Sequence, residues 1–194
     1  MIFMNIHEAI RERRSTKLFK DKEAISKEDI KDILEAATHA PTHHFTEAWR
    51  FVVMTEDRRM PFYNACLQFV EEKFKDAGEE ELEKKRLKMK SKALFAPTAI
   101  AVIYSKNHDN PRGDYKEDIL SIGSAIQNML LEATGKGIQS IWKTGAVYHS
   151  TPVRKVFNMK ADEEVIGVVF LGESEYKKMP KRIRVDALEK TTWL

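Results

Sequence analysis

At 194 residues, 42% hydrophobic and 32% charged, the chain can bury one sizeable core and lies far from the composition of a disordered protein. Thirty-three basic residues against 30 acidic ones leave a net charge of +3, too even a balance for a strongly basic face of the kind that binds nucleic acid. A single cysteine, Cys66, excludes an internal disulfide, and no stretch is apolar for long enough to span a bilayer.

No linker rich in Pro, Gly or Ser divides the chain, so one domain over residues 1–194 is expected. The first four residues are too short for the apolar region of a secretion signal and lead into a mixed-charge helix, which predicts a cytoplasmic protein. In that helix, residues 5–12, Ile6, Ala9 and Ile10 share one face. It runs into Arg13, Arg14, Ser15, Thr16 and Lys17, three cations and two hydroxyls in five residues. Charged donors mixed with neutral ones suit a phosphate monoester. Cations at a helix C-terminus also offset the macrodipole, and on these residues alone that plainer reading stands beside the first.

Residues 18–24 read as a loop. Ser26 then caps a helix whose first turn carries Glu28 and Asp29 and whose apolar face is Ile30, Ile33, Leu34 and Ala37. Pro41 ends it, leaving residues 40–48 as a loop with His39, His43 and His44 at or near its start. A metal is the tempting ligand, but His39 and His43 straddle Pro41 and no carboxylate pair completes a shell, so pocket-lining is the better reading.

Trp49–Thr55 is β-branched and aromatic and predicts a buried strand. Residues 57–92 are helical in propensity and dense in charge, which predicts a solvated helix pair, with Phe62, Phe69 and Phe74 placed to cap a cavity beneath it. A second apolar strand, Thr98–Tyr104, follows Pro97, and a polar loop occupies residues 107–113. Residues 115–134 carry the longest helical pattern, with Ile119, Ile122, Ile126, Leu130 and Ala133 on its stripe. Gly123, Ser124 and Ala125 leave room for another backbone, inside the domain or across a dimer. Gly135 and Gly137 close this helix, residues 138–144 form a short strand and turn, and Thr151 with Pro152 opens another helix. Glu164–Gly172 is a further buried strand, and the tail, 173–194, is expected to cross a surface or reach a partner subunit. Neither nucleotide-binding glycine fingerprint is present, nor is a nucleophile elbow.

Taken together, the 13–17 cluster, Ala40-Pro41 with Trp49 nine residues after Ala40, the stretch from Gly137 through Trp142, Lys143 and Thr144 to Gly145, and the helix from Thr151 to Phe157 resemble the nitroreductase-like, FMN-dependent oxidoreductases, and within them the small single-domain subgroup. The resemblance covers most of the chain. It implies an α+β flavoprotein, a central antiparallel sheet flanked by helices, and a homodimer with FMN at the subunit interface. Arg13, Arg14 and Ser15 would hold the FMN phosphate and ribityl end, and Lys17 would lie toward the pyrimidine side of the ring. His39 and His43 match flavin contacts of the subgroup, and Trp142, Lys143 and Thr144 match a stretch that contacts flavin from the partner subunit. Residues 132–137 match the part that receives the nicotinamide nucleotide.

The implied activity is ping-pong reduction of a small-molecule acceptor, nitroaromatic or quinone-type, with NAD(P)H as electron donor and no side chain acting as general acid or base. Dehalogenation or dehydrogenation on the same fold, or flavin binding without catalysis, are the alternatives. The chain departs from the family's pattern before the tryptophan, where Phe45, Glu47 and Ala48 replace Asn, Gln and Pro. Lys181, Arg182 and Arg184 are the candidates for the basic pair that reaches the phosphate near the end of many members.

Overall fold

Three stretches rich in β-branched residues demand a sheet with both faces covered, and the computed structural model, which describes residues 4–20, 24–176, 181 and 183–194, contains one of four strands. Strands β1 (Trp49–Thr55), β2 (Thr98–Tyr104), β3 (Gln139–Lys143) and β4 (Glu164–Gly172) pair antiparallel throughout in the order β1-β2-β4-β3. β2 lies inside the sheet and is buried at every residue, which explains why it reads as an unbroken apolar run.

Six α-helices are described: α1 (Ile6–Glu12), α2 (Lys27–Thr38), α3 (Met60–Lys73), α4 (Glu79–Ala93), α5 (Tyr115–Gly135) and α6 (Thr151–Val156). Successive side chains of a strand point to opposite faces, and β2 divides accordingly. Ala99, Ala101 and Ile103 join Phe62, Cys66, Val153 and Phe170 under α3, α4 and α6. Ile100, Val102 and Tyr104 join Ile33, Ala37, Ile122, Ile126 and Met129 under α2 and α5. Each fully buried Ile, Val, Phe or Met among them contributes about 1.5–3 kcal/mol.

Local signals account for the helix ends. Asn5 accepts from the Glu8 N–H while Glu8 accepts from the Asn5 N–H, a reciprocal cap that places Asn5 just outside the helix. Ser26 accepts from the Asp29 N–H, and Asp114 from those of Lys116 and Glu117. The stretch 57–92 is not the uniformly solvated pair its charge predicts. α3 buries Phe62, Ala65, Cys66 and Val70, whereas α4 buries only Ala93 and carries exposed ion pairs such as Lys84–Glu80 and Lys85–Glu81.

The β2–β4 register shifts between Val102, paired with Gly167, and Ile103, paired with Val165. Beside this irregularity Gly167 gives the Trp142 indole room: a Cβ there would lie 2.0 Å from Nε1 of Trp142 and 2.9 Å from the Lys143 carbonyl oxygen. Gly167→Ala is therefore expected to displace the indole and cost about 1–3 kcal/mol. Chemical denaturation and tryptophan emission check this, and an unshifted emission with unchanged stability would refute it.

Candidate functional site

The site begins where α1 stops. Arg13 leaves the helix with its N–H still donating to the Ala9 carbonyl, and the chain then runs beside β3: Ser15 bridges Ser140, and the Thr16 N–H donates to the Ser140 carbonyl at 3.0 Å. This pairing sorts the two hydroxyls. Thr16 is buried, with Oγ1 donating to Gln139 Oε1 at 3.3 Å, so it faces the interior and does not join the phosphate-type donors. Ser15 and Lys17, on either side of it, are exposed. Arg14 Nη1 donates to the Arg13 carbonyl at 3.0 Å and to the Arg11 carbonyl, so the plainer reading, cations at the end of α1, holds for part of this guanidinium.

The parallel Ser15–Ser140 pairing, at the start of β3, sets the cluster alongside that strand in the same protomer, with Lys17 near enough to Lys143 for their charges to interact. Trp142, 40% exposed on this edge strand, lies over Gly167, and Thr144 is exposed just beyond. Lys143 is half-buried, its Nζ 3.1 Å from the centre of the Phe95 ring and 5.3 Å from that of Phe170. Burial first, then the charges of Lys92 and Lys17, lower its pKa to about 8. The family pattern draws residues 142–144 from the partner subunit; here they adjoin the 13–17 cluster of their own chain.

Between α3, α4 and residues 143–148 lies a cavity of about 410 Å³, walled by Cys66, Phe69, Met89, Val147 and Tyr148 and edged by lysines. Of the three phenylalanines expected to cap a cavity, only Phe69 lines this one. Phe62 is buried and stacks on Phe157, and Phe74 ends α3 facing Lys73 and Lys85. The Cys66 thiol is pushed up to about 12 by burial, which leaves it protonated and inert at neutral pH.

The histidines go elsewhere. His39 caps the C-terminus of α2 and lines a separate cavity of about 360 Å³ with Ile6, Ala9, Leu131 and Glu132. His43 opens a one-turn helix, His43–Phe45, with its ring edge-on to His44 at 4.2 Å. Three residues of this loop adopt left-handed backbone, His44 at φ 47°, Phe45 at 56° and Glu47 at 43°, and Phe45 is left 83% exposed. Such strain persists only where surrounding bonds over-determine it. Here Thr46 Oγ1 donates to Asp118 Oδ1 at 2.6 Å, the Glu47 N–H donates to Thr42 Oγ1 at 3.1 Å, and Asn110 Nδ2 donates to the His44 carbonyl at 2.8 Å. Asp118, 1% exposed, is the anchor that sequence reading missed; its signal was a carboxylate in register with Ile122, Ala125 and Met129 on the buried stripe of α5.

In residues 132–137, Lys136 is tied to Asp29 and Asp32 of α2, and its ammonium serves helix packing there. Arg184 Nη1 donates to the Ile183 carbonyl, Lys181 is exposed, and Arg182 lies outside the described residues. Among the described residues no three of His, Cys, Asp and Glu converge closely enough to hold a metal ion, and no helix is long and apolar enough to cross a membrane.

A four-stranded antiparallel sheet between two helical layers, with a cation-rich segment paired to its edge strand, is the α+β architecture of the nitroreductase-like proteins. Residues 10–173 match the model of the nitroreductase family, and the chain belongs to that family. It is 30% identical over 168 residues to YfhC of Bacillus subtilis (strain 168), named as an NAD(P)H nitroreductase, covering 86% of this chain and 83% of that one. The crystal structure of a nitroreductase-like family protein from Bacillus cereus superposes with a TM-score of 0.81 at 25% identity, covering 100% of this chain and 98% of that one. A nitroreductase with bound FMN from Bacteroides fragilis NCTC 9343 shares the fold at a TM-score of 0.72 and 24% identity, covering 98% and 99% of the two chains.

Proposed function

We propose that this chain is an FMN-dependent NAD(P)H oxidoreductase that works as a homodimer and reduces nitroaromatic or quinone-type acceptors in a ping-pong cycle. The observation that carries the reading is the Ser15–Ser140 pairing, which sets the 13–17 cluster along the edge strand that ends in residues 142 and 143, with Lys17 near Lys143 beside a cavity of about 410 Å³. The donor set fits the cofactor: guanidinium and hydroxyl donors for a phosphate, then fixed cations where a ring would follow. When bound, FMN supplies two-electron transfer, so that NAD(P)H, a proton and a nitro compound yield NAD(P)+, the nitroso compound and water. The chain's part is to hold and orient. Arg13, Arg14 and Ser15 take the phosphate, and Lys17 places positive charge where negative charge develops. The bound FMN of the Bacteroides fragilis protein and the name of the Bacillus subtilis relative support this reading.

Residues 13–17 and 142–144 serve one flavin from one protomer, and the loop bearing His39 and His43 comes from the partner. Exposed apolar residues support the dimer. Ile6 and Ile10 of α1 face solvent, and the tail exposes Ile183 at 84%, Leu188 at 67% and Trp193 at 83%, a surface that a second copy would cover. Truncation before Ile183 is expected to give a monomer by light scattering after size exclusion and to release FMN; a truncated chain that stays dimeric would remove the tail from the interface.

The activity is tested by the visible spectrum of the freshly purified protein, followed by NADPH or NADH without oxygen. A flavin spectrum that bleaches supports the reading. A colourless protein that takes up no added FMN would return the 13–17 cluster to helix capping.

A further inference from the structure

Charge is segregated on the α3–α4 pair. Its acids are engaged on the outer side: Glu71, Glu79 and Glu83 with Arg86, Glu80 with Lys84, Glu81 with Lys85, and Glu72 with Gln68. The cavity on the inner side has no carboxylate in its lining and three lysines, Lys73, Lys92 and Lys143. Among the described residues, no carboxylate lies within ion-pair distance of Lys92 or Lys143. Lys73 rests near the Phe69 and Phe74 rings and Lys143 on Phe95. Lys92 has no such aromatic seat among the described residues. Its charge and that of Lys17 both disfavour the charged form of Lys143, so the group is held together against its own repulsion.

The remaining walls are those of a site for a flat ring: Phe69, Met89, Val147 and Tyr148, around a volume within the range of about 300–1,000 Å³ typical of small-molecule sites. An apolar enclosure whose lining carries cations and no carboxylate favours a ligand that is aromatic at one end and anionic at the other.

We propose that this cavity selects electron acceptors carrying a carboxylate on an aromatic or quinoid ring, with Lys92 as the specificity-determining cation and Phe69 and Met89 as the ring's seat. The acceptor's fate rests on the oxidoreductase reading above; its binding does not. Relief of the lysine repulsion adds to the attraction, which makes the preference electrostatic and sensitive to salt.

The test titrates the full chain, loaded with FMN and oxidised, with 4-nitrobenzoate and with its neutral counterpart 4-nitrobenzamide, by calorimetry. The benzoate is expected to bind at least about tenfold more tightly at low ionic strength, the effect of one well-placed charge, with the advantage shrinking as salt is raised. In Lys92→Met the ratio of the two affinities is expected to fall to within about twofold, and the ratio of kcat/KM values to follow it. Equal affinities for the two compounds would overturn the proposal. So would a Lys92→Met chain that keeps the full preference, or one that loses FMN with the preference intact, which would give the cavity to the flavin. A chain that binds no FMN, or whose FMN is not reduced by NAD(P)H, would sink the oxidoreductase reading instead, and the same titration of that chain still decides the carboxylate preference.

Discussion

Glu163→Gln is expected to lower the stability of the fold by about 3 kcal/mol at pH 7. Glu163 is 4% exposed, at the entrance to β4, and holds Arg50 of β1 in a two-point pair, Nε to Oε1 and Nη2 to Oε2, both 2.7 Å. Arg50 donates further to the Phe157 carbonyl, the Lys160 N–H donates to Glu163 Oε2, and Arg154 donates to the Glu163 carbonyl. One carboxylate thus ties together β1, the end of α6 and the loop into β4. The amide keeps the shape but leaves the guanidinium half-buried without its counter-charge, and that desolvated charge is the main cost.

The pH dependence separates charge from packing. The Arg50 guanidinium, against a smaller opposing effect of burial, holds the Glu163 carboxyl at about 2, below its ordinary 4.5. A carboxyl whose folded pKa is depressed stabilises fully above the unfolded value and loses its contribution as pH falls toward the folded one. The gap between the native chain and Glu163→Gln should therefore be complete at pH 7 and more than half closed by pH 3. Urea unfolding at both pH values reads it, and a gap unchanged at pH 3 would assign the loss to packing instead.

What could be read in the chain beforehand was what depends on neighbours in sequence. Ser26 caps a helix, Gly137 takes the left-handed φ of 76° after α5, and Trp49–Thr55, Thr98–Tyr104 and Glu164–Gly172 are strands, because each is a matter of local hydrogen bonding or a period of a few residues. The misreadings share a different cause. Thr16 was grouped with Ser15 because both are hydroxyls, but which of the two faces inward is set by a pairing with Ser140, more than 120 residues away, that no local pattern encodes. α3 looked solvated because the charges of its neighbour α4 dominate the window, while Phe62, Cys66 and Val70 make a stripe only when that helix is taken alone. His39 and His43, four residues apart, end on different neighbours because α2 stops at Thr38, Pro41 keeps it from continuing, and the strained turn at His44 redirects the chain. The departure at Phe45 and Glu47 gains a physical context: both occupy left-handed backbone in a turn fastened by Asp118, so the loop's shape is kept by bonds outside it rather than by the residues that replaced the family's amides.

Lys17→Ala is expected to keep FMN and to slow its reduction by NAD(P)H about 100-fold, the scale of removing one preorganised group that stabilises developing charge. Retention follows from the division of labour along the cluster: the phosphate-type donors, Arg13, Arg14 and Ser15, precede Lys17 and are untouched by its loss. The rate effect follows from position. Lys17 is exposed on the same side of the extended segment as Ser15, close enough to Lys143 for the two charges to oppose each other, and buried Thr16 between them fixes the segment to β3. A cation whose backbone is fixed beside another positive charge gains from negative charge arriving next to both. Anaerobic stopped-flow reduction measures the rate and the spectrum after gel filtration measures the flavin retained. Lys17→Arg, which keeps the charge and changes its shape, should recover part of the lost rate. An unchanged rate in Lys17→Ala would refute the assignment, whereas FMN loss with a normal rate on readdition would move Lys17 from the ring to the phosphate.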